Sequence, residues 1–274
     1  MLDQKAEIEK RDWDCLIILD ACRYDFFVDN YEGLLKGGLK KARSPVNCKE
    51  GVATSEWCKA VFTEEYEDVV YVSTTPHVNS FSEVNGFKAS DHFWKVMDVW
   101  NSGWNDEKGT VMPEKVNEAV LKARNKYPDK KIIAHYMQPH FPYLSLENPF
   151  NPKDKEPSSH DNLKRKMRNF LGSRVRRTLG GGMTRRLIRA LKLPPINPMD
   201  ETLRKVGHEG LIEAYTNNLE IVLEALSEVT GELSGKTVIS ADHGEYLGEE
   251  GFYGHSYLPE HPVLNEVPWF VIEE

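Results

Sequence analysis

The feature that most constrains the fold lies near the end of the chain, where the apolar run Thr237-Val238-Ile239-Ser240 leads straight into Ala241-Asp242-His243-Gly244-Glu245. A short β-branched run bounded by turn formers reads as a buried strand. Its tip presents an Asp and a His side by side, followed by a Gly that lets the backbone turn. That supplies one oxygen and one nitrogen ligand for a hard or borderline divalent cation. A second tip of the same kind lies far away in sequence: Asp14-Cys15-Leu16-Ile17-Ile18-Leu19-Asp20 is apolar throughout and ends on a carboxylate. In an open α/β sheet, ligands gather outside the carboxyl ends of the strands, so the two tips can share one site.

The remaining pattern is mostly strand followed by helix, which predicts a parallel sheet covered on both faces. Strands are expected near 14–20, 38–43, 68–73, 130–136, 236–241 and 267–272. Helices are expected near 23–31, 54–63, 113–126 and 205–230, the last with Leu211, Ala214, Leu219, Val222, Leu223 and Leu226 on one face. Residues 76–110 hold many aromatics, Phe81, Phe87, Trp94 and Trp104 among them, but no clean period; they read as an ordered loop or a short helical excursion. The fold class is therefore α/β, one domain over 1–274 with a mostly parallel central sheet, interrupted by a basic helical insertion at about 144–200.

That insertion has no Asp or Glu between Asp161 and Asp200, while Lys164-Arg165-Lys166 and Arg176-Arg177 alternate with Phe170, Leu171, Val175 and Leu187. One reading is a basic amphipathic pair that meets an anionic membrane surface, or an anionic substrate, through 163–192. The other is a solvated insertion whose arginines pair with acids elsewhere. The chain as a whole carries a net charge of −8, which argues against general nucleic-acid binding. No stretch approaches the ~20 apolar residues of a membrane span, and the charged first residues do not resemble a signal peptide, so a cytoplasmic location, peripheral at most to a membrane, is expected. Cys15, Cys22, Cys48 and Cys58 have no CxxC spacing and read as reduced thiols.

A nucleophile is suggested by Ala53-Thr54-Ser55-Glu56, where a hydroxyl opens a helical pattern. There the helix dipole and a nearby cation would both lower its pKa. Thr and Ser are also ordinary N-caps, so this spacing does not decide the role.

Taken in order, Asp20-Ala21-Cys22-Arg23, Ala53-Thr54-Ser55-Glu56, His135-Tyr136-Met137-Gln138-Pro139-His140, Asp242-His243-Gly244-Glu245 and Gly254-His255 resemble the alkaline phosphatase superfamily, and within it the sulfatase-like branch of arylsulfatases and phosphoglycerol transferases. The resemblance implies an alkaline-phosphatase-like fold. It implies a metal held by Asp20, Thr54, Asp242 and His243, with Thr54 doubling as nucleophile and His140 and His255 facing the substrate. Arg23 is close enough to the first ligand to reach an anionic oxygen. His135 falls on the substrate side or behind a ligand.

One divalent ion is expected, Mn²⁺, Zn²⁺ or Mg²⁺ with Ca²⁺ a further option, because no Asp and His four residues apart stand near residue 140 and Ala21 replaces the second Asp of many sulfatases. No Cys-x-Pro-x-Arg motif is present, which disfavours formylglycine chemistry. The implied activity is hydrolysis or transfer of a phosphoester or phosphodiester, on a small or glycan- or lipid-linked anionic ester. Sulfate-ester hydrolysis, or silent binding of anionic glycan or lipid headgroups, is the alternative. His77, His92, His160, His208 and His261 read as surface or capping groups.

Overall fold

The computed structural model describes residues 1–46, 53–146, 183, 190, 195, 198–255 and 260–273. Cys48 and almost all of the basic insertion, including the 163–192 stretch apart from Met183 and Ala190, lie outside the described residues.

The chain opens with β1 (Leu2–Asp3), α1 (Gln4–Glu9), β2 (Cys15–Leu19), α2 (Tyr24–Asn30), β3 (Gly38–Arg43), α3 (Ala53–Val61) and β4 (Tyr66–Ser73). It continues through β5 (Phe93–Asp98), α4 (Val99–Ser102), β6 (Trp104–Asn105), β7 (Thr110–Val111), α5 (Pro113–Lys126) and β8 (Lys131–Tyr136). The last part comprises α6 (Pro198–Thr230), β9 (Thr237–Ala241), β10 (Tyr246–Leu247), β11 (Tyr253–Gly254), α7 (Pro262–Asn265) and β12 (Glu266–Ile272).

Eight strands form one sheet in the order β1-β3-β12-β9-β2-β8-β4-β5. Within it β12 runs antiparallel to both its neighbours, while the other strands pair in parallel. The mostly parallel sheet expected from the sequence is therefore present. The central strands β2 and β9 are buried at every position, as strands covered on both faces must be. Helices α2 and α5 pack against α6, and α1 packs against α3, giving two groups of helices around the sheet.

Three features differ from the sequence reading. The aromatic stretch 76–110 contains an edge strand, β5, whose half-exposed pattern hides the strand period. The long C-terminal helix begins earlier, at Pro198, and is broken at Gly207, which takes φ 76° and ψ −175°. Such a conformation suits glycine, and it divides the element near the predicted start at 205. The short strand β1, too brief to show a period, pairs with β3 at the sheet edge.

Register sets the site. Leu19 of β2 pairs with Ala241 of β9 and with Tyr136 of β8, and Ser73 of β4 pairs with His135. The carboxyl ends of four adjacent strands are thereby level, and the next residues, Asp20 and Asp242, emerge side by side.

Candidate active site

Just past β2 the chain turns sharply at Ala21, which adopts φ 58°, a left-handed conformation unusual for a residue with a Cβ. The turn aims the Ala21 N–H at Oδ1 of Asp242, 3.1 Å away, and Tyr215 donates its hydroxyl to the Ala21 carbonyl at 2.7 Å. Asp20 is 5% exposed, Thr54 4%, and Asp242 and His243 are fully buried. Thr54, in the first turn of α3, donates from Oγ1 to Oδ2 of Asp242 at 2.9 Å. The four residues implied as metal ligands thus converge.

His243 hydrogen-bonds through Nδ1 to the carbonyl of Gly244 at 2.8 Å, which fixes the proton on Nδ1 and leaves Nε2 with a lone pair. That atom lies 3.3 Å from Oδ2 of Asp242 and 3.6 Å from Oδ1 of Asp20. Two ligands each about 2 Å from one ion stand roughly 3–4 Å apart, so these separations fit a shared cation. Neither His243 Nε2 nor Asp20 Oδ1 has a hydrogen-bond partner among the described residues, although both are buried. Buried polar atoms without partners call for an explanation, and a cation supplies one. Gly244 is required by space, since a Cβ there would collide with the Val263 carbonyl.

Electrostatics point the same way. Burial, reinforced by the neighbouring Asp242, pushes the Asp20 carboxyl well above its ordinary range. Burial also acts to raise Asp242, yet His243, His135 and the hydrogen bonds from Ala21 and Thr54 prevail and hold it low. Two carboxylates in one dry pocket oppose double ionisation, and a divalent cation among them would reverse that balance.

A second group of ligand-type atoms, His140, Glu245 and His255, adjoins the first. The β10–β11 hairpin returns His255 to the site, with its ring 4.4 Å from that of His243 and 5.3 Å from that of His140. Glu245 accepts from Nδ1 of His255 at 2.8 Å, and its other oxygen has no partner among the described residues. The backbone N–H of His140 donates to the Asp20 carbonyl at 3.1 Å, and Asn218 holds the same loop by donating to the carbonyls of Pro139, His140 and Pro142. Burial pushes His140 and His255 down to about 4.

His135 and Arg23 have other surroundings. His135 is fully buried, with Nδ1 2.7 Å from the Tyr71 hydroxyl and Nε2 3.9 Å from Oδ2 of Asp242. It stands behind a ligand, outside the group formed by Asp20, Asp242 and His243. The Arg23 guanidinium is taken up by ion pairs with Asp25 and Glu249 and by a hydrogen bond to the Glu245 carbonyl at 3.3 Å. In this arrangement Arg23 clasps the loop after β2 to the loop after β9, with its charge shared between two carboxylates.

Sequence reasoning missed Glu245 as a partner for His255, although its place in Asp-His-Gly-Glu was a usable signal. Tyr71, Tyr215 and Asn218 carried no signal at all.

No protein-family model matches the chain, and no curated protein matches it in sequence. Solved structures match nearly its whole length. The soluble domain of lipooligosaccharide phosphoethanolamine transferase A from Neisseria meningitidis aligns with a TM-score of 0.51 at 16% identity, over 93% of this chain and 75% of that one. The C-terminal periplasmic domain of EcEptC from Escherichia coli, a complex with Zn, aligns with a TM-score of 0.53 at 11% identity, over 94% and 72%. The chain has the alkaline-phosphatase-like fold of these neighbours. BT1596, a 2-O GAG sulfatase, shares this fold with a TM-score of 0.50 at 11% identity, over 95% of this chain and 64% of that one. Two groups of ligand-type side chains that could each hold a metal ion, Asp20-Asp242-His243 and His140-Glu245-His255, stand at the strand tips of this fold. The cytoplasmic expectation finds no support among these neighbours, one of which is a periplasmic domain. Among the described residues no helix is long and apolar enough to cross a membrane.

Proposed function

We propose that the chain is a metal-dependent enzyme that cleaves a phosphoester or phosphodiester by transferring the phosphoryl-type group to Thr54 and then to water or an alcohol. The observation that carries this reading is the Thr54 hydroxyl 2.9 Å from Asp242 Oδ2, beside the unpartnered lone pairs of Asp20 Oδ1 and His243 Nε2. When bound by Asp20, Asp242, His243 and the Thr54 oxygen, a divalent cation supplies Lewis acidity that lowers the hydroxyl pKa and offsets charge on the transferring group.

The chain's own groups then divide the work. Thr54 gives up the proton it directs at Asp242 Oδ2 as its oxygen bonds to phosphorus, and the ester oxygen leaves on the opposite side. His140 and His255 face that region and handle the proton on the leaving and entering oxygens. Glu245 holds Nδ1 of His255, so Nε2 is presented to the acceptor. The acceptor removes the group from Thr54 when its own oxygen bonds to phosphorus. Water makes the enzyme a hydrolase and an alcohol makes it a transferase. The likeness to a lipooligosaccharide phosphoethanolamine transferase favours an anionic lipid- or glycan-linked ester.

The test pairs metal analysis with turnover of a generic aryl phosphodiester. Wild-type protein is expected to retain a divalent ion and turn over, whereas Thr54→Ala keeps the ion through three ligands and loses turnover. Near-normal activity in Thr54→Ala rejects the nucleophile. Faster cleavage of an aryl sulfate than of the phosphodiester would favour sulfate-ester chemistry instead.

A further inference from the structure

Gln4 opens α1 far from either ligand group in sequence, yet it is fully buried and every polar atom of its side chain is in use. Its Nε2 donates to the Ser240 hydroxyl at 2.7 Å and to the Ala241 carbonyl at 2.6 Å, while Oε1 accepts from the Trp57 indole N–H at 2.9 Å. Ala241 immediately precedes Asp242. Trp57 stands three residues after Thr54, about one helical turn along α3. Ser240 in turn donates to the Pro268 carbonyl at 2.7 Å, tying the amide to β12 as well.

We propose that Gln4 is a positioning residue that sets the spacing between Thr54 and Asp242, and so holds the nucleophile against its ligand; this rests on the function proposed above. The two reacting elements have different supports. Asp242 is carried by the central sheet through β9, whereas Thr54 is carried by α3, which packs against α1. Gln4 is the side chain on α1 that bonds to both. A side-chain amide is the group for this place, because it alone offers two N–H donors and a carbonyl acceptor without charge. Glu would lose both donors. Leu would strand the Trp57 N–H and the Ala241 carbonyl in a site closed to water, and the surrounding elements would shift to recover partners. The Trp57 ring also lies edge-on to His135, 6.2 Å between centroids, so the same bracket reaches the group behind Asp242.

The experiment compares Gln4→Leu, Gln4→Asn and Trp57→Phe with wild type in the full-length chain. It reads kcat and KM on an aryl phosphodiester, Mn²⁺ affinity by calorimetry, melting temperature, and the Thr54–Asp242 separation in a crystal structure of each variant. Positioning predicts a fall in kcat of about 10- to 100-fold with KM nearly unchanged. It also predicts a Gln4→Leu/Trp57→Phe double variant no worse than the weaker single variant, because both remove one bracket. The hydrogen bond from Thr54 to Asp242 should be lost in the Gln4→Leu crystal.

A merely structural role predicts lower melting temperature with wild-type kcat per metal-loaded molecule, and that outcome overturns the inference. So does an unchanged Thr54–Asp242 separation, whatever the activity. If Gln4→Leu fails to fold, Gln4→Asn and Trp57→Phe give the same readings. A wild-type protein that neither binds Mn²⁺ nor turns over would count against the proposed function, and the crystal separation would still judge Gln4.

Discussion

The hydroxyl of Tyr71 lies 2.7 Å from Nδ1 of His135, and both residues are fully buried in the layer behind Asp242. Tyr71 and His135 lie on adjacent parallel strands, where Tyr71 pairs with Ile133 and His135 with Ser73. The arrangement gives His135 a fixed ring orientation toward Asp242, the carboxylate proposed above as a metal ligand, the part that outer groups play around many ions.

Tyr71→Phe keeps the ring and removes the hydroxyl. Cation affinity is expected to fall by about tenfold, since groups that orient ligands typically contribute 10- to 100-fold. Isothermal titration with Mn²⁺ checks this, and unchanged affinity would remove His135 from the metal's support.

Glu245→Gln is expected to lower kcat on the order of 100-fold with cation binding retained, because the amide no longer accepts from Nδ1 of His255 as a carboxylate does. His255→Ala combined with it should add little further loss, since the two act as one unit. Additive losses in the double variant would show separate roles.

Arg23 offers the reverse expectation, a stability effect without a substrate effect. Its side chain is 6% exposed, but Asp25 is 57% and Glu249 29% exposed, so solvent weakens the pairs. Arg23→Ala is expected to cost roughly 1–3 kcal/mol of stability from the lost pairs and the carbonyl hydrogen bond. KM for the phosphodiester, measured well below the melting temperature, should change little. A large rise in KM with normal stability would return Arg23 to the substrate.

Acid should weaken the metal-free fold in a defined window. His135, His140 and His255 are pushed by burial to about 4 from an ordinary value of 6.5. Below pH 6.5 the unfolded chain takes up protons that the folded chain refuses, so stability falls until about pH 4, where the folded histidines also titrate. The slope approaches about 1.4 kcal/mol per pH unit for each histidine. Asp20 and Glu245, which burial raises, offset part of this fall, so the check is an NMR titration of the histidine rings in chelated protein, and midpoints at ordinary values contradict the buried neutral state.

The strand tips were legible because a strand buried on both faces has nowhere to put polar side chains, so Cys15–Leu19 and Thr237–Ala241 stand out, and so does the first polar residue after each. Their adjacency in the sheet was legible only by resemblance. Direction and order of strands leave no mark on composition, so the antiparallel course of Glu266–Ile272 could not be read. Phe93–Asp98 was hidden because an edge strand with one wet flank loses its alternation. Gln4, Tyr71, Tyr215 and Asn218 act through hydrogen bonds to distant segments, and such bonds have no period or motif. Whether Arg23 meets a substrate oxygen or an ion-pair partner was not legible, because one of its two acid partners lies 226 residues away and leaves no local mark.

The pairing of Leu19 with Ala241 brings Asp20 and Asp242 together in a space closed to water, where burial and the neighbouring carboxylate push Asp20 upward. The cation proposed above would bind the folded chain alone and so would act as a thermal stabiliser: at 100 times its dissociation constant it would add about 2.7 kcal/mol. The melting point should therefore climb with ion concentration, and chelators should shorten the working life of the protein before any question of turnover arises.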